Sequence, residues 1–136
     1  MNTGQLRFLF KDFTINDKLG DKASTLAAEA SYCANDQGKY WEYHDELYKN
    51  WAGEKTGWVN RNSLDKFANT VGIDTTQFDK CLDDKKYEQK VLDNQKFGER
   101  IGINATPSFL IFDSKNGTKI IGAQPFSVFK QVLDSF

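Results

Sequence analysis

The sequence predicts an α/β fold, and two changes of hydrophobic period predict it. The first separates a β-rich run at Leu6–Phe13 from helical periodicity that begins near Asp21. The second, after Ile101, returns the chain to strand-like runs. Turn residues divide the stretch between them into about five helices. A length of 136 residues suits one domain, and no internal repeat, low-complexity stretch or linker interrupts it.

Taken in order, Leu6-Arg7-Phe8-Leu9-Phe10-Lys11-Asp12-Phe13 is nearly continuous in apolar character, as a strand covered on both faces is. Leu26, Ala30 and Cys33 then recur at helical spacing with Ala23, Ala27 and Ala34 alongside. Gln37-Gly38 breaks that helix. The next carries Trp41, His44, Tyr48 and Trp51 on one stripe, and Ala52 to Arg61, with two glycines, reads as a loop.

Leu64, Phe67, Ala68 and Val71 form a third helical face, with Gly72 placed for a left-handed C-terminal residue. Asp74-Thr75-Thr76-Gln77 has capping-box spacing, flanked by Ile73 and Phe78 at hydrophobic-staple positions. Asp84 is placed to cap a longer helix along Tyr87, Val91, Asn94, Gly98 and Ile101, closed by Gly102. Ser108–Phe112 and Thr118–Ile121 flank a turn rich in Asp, Ser, Asn and Gly, which signals a hairpin. Pro125 opens a last helix whose expected inner face is Phe126, Phe129, Val132 and Leu133.

Composition narrows the function. Hydrophobic residues at 39% and charged residues at 27% fit a globular domain. Lys plus Arg (18) nearly cancels Asp plus Glu (19), which argues against nucleic acid or an anionic membrane as the main partner. No apolar run is long enough for a transmembrane helix, and the chain starts without a signal-peptide pattern. Two cysteines and one histidine, without paired spacing, make a metal site a poor expectation. Aromatics are abundant at 14%, including 11 Phe.

The order of elements and four stretches together resemble the DsbA-like branch of the thioredoxin superfamily. The stretches are Arg7–Phe13, Gln37–Asp45, Ala105-Thr106-Pro107-Ser108-Phe109 and Gly122-Ala123-Gln124-Pro125-Phe126. The resemblance implies a thioredoxin-like α/β fold over residues 1–136 as a single domain. Its parts would be a sheet strand at 5–13, a helical insert at about 20–102, and a cis-proline loop, hairpin and C-terminal helix at 103–136. It implies thiol–disulfide exchange or isomerisation on cysteines of extracytoplasmic protein substrates, with no metal or organic cofactor.

In that branch a Cys-x-x-Cys pair sits upstream of the strand matched here by Leu6–Phe10, and only five residues precede that strand. The expectation is a chain without the first core strand and the Cys-x-x-Cys helix, hence redox-inactive by itself. A fragment, a start codon placed too late and a naturally trimmed protein are its three explanations. An uncovered sheet edge and face lead to the further expectation of a homodimer through the N-terminal strand or the sheet face. A redox-inactive peptide-binding module is the alternative function, and a glutathione-transferase-like enzyme on the same fold ranks below both.

Single residues follow. By base rate the Thr106–Pro107 bond is trans; the resemblance implies cis, with Thr106 and Pro107 contacting substrate peptide. Cys33 and Cys81, 48 positions apart and on apolar helix faces, are read either as two buried thiols or as a structural disulfide, and the resemblance implies the disulfide. His44 reads as a packed histidine rather than a catalytic one. Trp41, Trp51 and Trp58 read as core and interdomain packing.

Overall fold

Side-chain caps set two of the helix starts in this protein, and residues of positive φ set several of the finishes. A computed structural model of the chain describes residues 6–19 and 22–136. A 3-10 turn at Ile15–Leu19 precedes α1 (Ala23–Asn35), α2 (Tyr40–Lys49), α3 (Arg61–Thr70), α4 (Thr75–Asp83) and α5 (Glu88–Arg100). Then come β1 (Ser108–Phe112), β2 (Gly117–Ile121) and α6 (Phe126–Leu133). The chain divides into two compact units, residues 1–95 and 96–136, with the boundary inside α5.

In the first unit, Asn60 caps α3: its side chain accepts from the Ser63 N–H while the Ser63 hydroxyl accepts from the Asn60 N–H. Asp74 caps α4 through the Gln77 N–H. Its own N–H donates instead to Gln37 Oε1, 2.9 Å away, which ties the α1–α2 turn to the start of α4. Helices α1, α3 and α4 each close on a residue of positive φ whose N–H donates to the carbonyl three residues back, while the next N–H donates to the carbonyl five residues back. Gly38 and Gly72 take that position after α1 and α3, and Lys85 takes it after α4 at φ 49°. Tyr43, Leu64 and Phe78 are fully buried between these helices, with Cys33 and Cys81 among them.

Several expectations change here. Residues 6–14 form no strand. A strand exists only with a neighbour to complete its ladder, and the sheet among the described residues has two strands, β1 and β2. The segment is held by side chains instead: the Thr14 N–H donates to Gln95 Oε1 at 2.7 Å, and Lys11 Nζ donates to Asn94 Oδ1 at 3.1 Å. Residue 5 of the expected strand lies outside the described residues.

The aromatic stripe of α2 is its outer face. Tyr43 and Leu47 are buried, whereas Trp41 and Tyr48 are 47% and 58% exposed. The three tryptophans do not form a cluster in the core: Trp51 is exposed, and only Trp58 packs against the core, beside Phe67. Asp84 closes α4 rather than opening α5, because the left-handed Lys85 turns the chain first.

In the second unit, β1 pairs antiparallel with β2 in the register Phe109↔Ile120. The turn is held by Asp113, whose carboxylate accepts from the Lys115 and Asn116 N–H groups. Those two bonds hold the Asp113 carboxyl below its ordinary range. Phe109 faces Phe129 of α6 edge-on at 4.8 Å. Phe126, expected on the inner face of α6, is 77% exposed.

Candidate functional site

The loop from α5 to β1 is built to hold Thr106 and Pro107 in the open. Gly102 takes φ 74° after α5, and the Gly102 and Ile103 N–H groups donate to Glu99 and Gly98 carbonyls. Lys119 Nζ donates to the Ile101 carbonyl, covering a helix-end acceptor that has no partner of its own. The Ser108 hydroxyl donates to the Ala105 carbonyl at 2.7 Å, and the Gly122 N–H donates to the Pro107 carbonyl at 2.8 Å.

These bonds pin both flanks of the loop and leave its tip. The Thr106–Pro107 peptide bond is cis, and both residues are exposed. No hydrogen bond among the described residues involves the Thr106 backbone. Its N–H and C=O are therefore available to an extended chain laid alongside.

Cys33 on α1 and Cys81 on α4 are joined as a disulfide, with Cα atoms 5.8 Å apart. Cys33 is 1% exposed and Cys81 8%. The bond thus ties α1 to α4 from within the helical unit, and thiol–disulfide exchange requires an attacking thiolate to reach one of its sulfurs. Beside it, Asp36 accepts from Lys86 Nζ and the Tyr87 hydroxyl. Burial alone would raise the Asp36 carboxyl; those two donors hold it below its ordinary range.

His44 sits among Phe10, Tyr40, Trp41 and Tyr48, with ring centroids 4.6 to 6.2 Å away. Its Nδ1 is 3.1 Å from Asp45 Oδ1, and among the described residues no cysteine or serine side chain is bonded to it. The packed reading accounts for these contacts. Among the described residues no cluster of His, Cys, Asp and Glu is arranged to hold a metal, and no helix is long and apolar enough to cross a membrane.

Sequence reasoning missed a polar knot. Asn94 is 8% exposed and donates to Asp12 Oδ2 at 3.3 Å and to the Tyr32 hydroxyl at 2.9 Å. Burial, then Asp12 beside it, push the Tyr32 hydroxyl well above the ordinary tyrosine range. The signal was there: an asparagine on an otherwise apolar helix stripe needs partners.

A family model described as thioredoxin matches residues 1–135. Among solved structures, a thioredoxin-like oxidoreductase from Silicibacter pomeroyi DSS-3 is similar, with a TM-score of 0.68 and 25% identity. The match covers 85% of this chain and 62% of that one, so this chain spans under two thirds of that relative's length. A comparison with curated proteins finds no match. The fold is accordingly α/β thioredoxin-like, mostly helical, with the helices inserted ahead of a small antiparallel sheet.

Proposed function

Because this chain belongs to the thioredoxin family, we propose that it is the substrate-contacting part of a DsbA-like thiol:disulfide oxidoreductase, acting on cysteines of extracytoplasmic proteins. The observation that carries the reading is Thr106: exposed, with unpaired backbone groups, at the entry to β1. An extended substrate pairs with it as an added strand, which positions a substrate cysteine beside Pro107.

Exchange itself needs an accessible thiolate and a resolving partner. Both cysteines of these 136 residues are committed to the buried disulfide. On this reading exchange would be carried by a Cys-x-x-Cys pair that these 136 residues do not contain, and by themselves they would be redox-inactive. A buried disulfide suits an oxidising compartment, which agrees with extracytoplasmic placement. No metal or organic cofactor enters the proposed chemistry.

The exposed apolar side chains Leu110, Phe112 and Ile121 on β1 and β2 favour a second reading, a non-catalytic peptide-holding module. Insulin reduction separates the two. The 136-residue chain should give no turnover, and a longer polypeptide from the same reading frame carrying Cys-x-x-Cys should turn over. If the longer polypeptide binds unfolded peptides yet never turns over, the holding module is the right reading. Turnover by the 136 residues alone overturns the assignment of the two cysteines.

A further inference from the structure

The helical unit contains a cavity of about 370 Å³ that the disulfide chemistry does not use. Its apolar wall comes from Ala23 and Leu26 of α1, Val59 of the loop before α3, and Leu82 of α4. Glu29, one turn beyond Leu26 on α1, also lines it and is 6% exposed. No hydrogen bond or ion pair to the Glu29 carboxylate exists among the described residues.

A buried acidic side chain in that position is unusual. Buried polar groups are nearly always matched, and an unmatched carboxylate is costly to ionise. Here the unmatched group lines an open space, apolar along one wall and larger than one water needs. The complement of such a space is a positive hydrogen-bond donor on a hydrocarbon stem.

The other charges facing the cavity are Lys22, Lys85 and Glu88. Lys85 Nζ and Glu88 Oε1 are paired at 3.3 Å, with the lysine side chain 65% exposed, so they largely cancel one another at the mouth. Lys22 is exposed. Neither lysine takes up the Glu29 carboxylate.

We infer that this cavity binds an alkyl cation, a primary ammonium or guanidinium group whose head pairs with Glu29 and whose methylene stem lies against Leu26, Val59 and Leu82. The pairing favours ionised Glu29. Burial, then the charge of Glu88, hold the free carboxyl above its ordinary range, while Lys85 and Lys22 pull it down. Cation binding therefore releases a proton from the fraction still protonated, and affinity rises with pH through the titration of Glu29.

The test uses n-pentylamine, with n-pentanol and pentanoate as neutral and anionic matches, on the 136-residue protein. Amide NMR shifts and calorimetry in buffers of different ionisation enthalpy provide the readouts. The amine should saturate with shifts centred on Leu26, Glu29 and Val59, and with proton release. Pentanol and pentanoate should bind at least tenfold more weakly. Glu29→Gln should weaken the amine at least tenfold, and Val59→Phe, which fills the cavity without touching its charge, should block it. If the amine does not saturate, or if pentanol or pentanoate binds as tightly, the inference is wrong. Unchanged amine affinity in a folded Glu29→Gln or Val59→Phe protein overturns it equally.

Discussion

Residues 1–95 and residues 96–136 are both rich in large apolar side chains, yet they bury them very differently. In the first unit Tyr43, Leu64, Phe78 and Val91 are fully enclosed. In the second, Ile120 is the one large apolar side chain that is buried, while Phe112 and Phe126 are 70% and 77% exposed. Composition does not explain this; the number of layers does. Helices α1 to α4 cover each other from several sides, whereas a two-stranded sheet with α6 beside Phe109 has one face to offer and one helix to cover it. The helical unit supports itself, and the hairpin unit presents apolar surface.

The sharpest way to break that comparison is to empty the helical core. Phe78→Ala removes a fully buried ring and should cost about 3–5 kcal/mol, read as a fall in the denaturant midpoint. The same truncation at Phe112 should barely move it. Next in size is the disulfide. Opening a 48-residue closure should cost roughly 4 kcal/mol in the chain-entropy account. A Cys33→Ala, Cys81→Ala protein should melt correspondingly lower, with early hydrogen exchange appearing in α1 and α4. An unchanged melting temperature would show that the helical core needs no brace.

Legibility in the sequence follows the range of the interactions. The ends marked by Gly72 and Asp74, the Asp113 turn and the staple pair Ile73 and Phe78 were readable because each depends on a few neighbouring residues. The segment at Leu6–Phe13 was not, since pairing is decided by a distant partner and its apolar run fits an extended segment packed on Trp41 and His44 equally well. On α2 two apolar stripes compete, and only tertiary packing selects Tyr43 and Leu47. Lys85 gives no warning that it will take a left-handed conformation. Of the candidate site, Thr106 and Pro107 were legible only through the family resemblance. Glu29 had a local signal that went unread: a lone acid amid alanines on a close-packed helix.

A smaller effect lies inside the helical unit and runs in the stabilising direction. Asp65 Oδ1 on α3 is buried without a hydrogen-bond partner. Burial, then Asp79 beside it, hold the Asp65 carboxyl above its ordinary range, against the pull of Arg61. Its folded pKa thus exceeds its unfolded one, so its contribution is favourable at low pH and is lost as pH rises through the folded value. Asp65→Asn places a donor where two acids compete, and Arg61 keeps Asp79 and Asp83 as partners. The variant should be more stable at neutral pH by about 1 kcal/mol or more, the ordinary cost of an unsatisfied buried acceptor. Its advantage should shrink as pH falls below the carboxylate range, which thermal melts at several pH values will read. A variant less stable at neutral pH would mean the ionised acid is supported after all.

The smallest effect on stability belongs to the hairpin unit, and there it carries the most information. Leu110, Phe112 and Ile121 all point to the face of the sheet opposite Phe109 and Ile120, because paired and alternate residues share a face. Changing Leu110 and Phe112 to Gln and Ser removes exposed apolar area, so the unfolding free energy should move by no more than about 0.5 kcal/mol. Association should respond far more. We propose that this face, together with an open strand edge, pairs two copies of the chain across a two-fold axis. Light scattering at micromolar concentration should then report twice 15.5 kDa for the unaltered protein and 15.5 kDa for the variant. If the unaltered protein stays at 15.5 kDa on concentration, the apolar face is not a contact between copies, and its exposure belongs to the substrate chain that Thr106 would hold. If both proteins are dimers, the contact lies elsewhere, and the aromatic outer face of α2 with Phe8 is the next surface to alter.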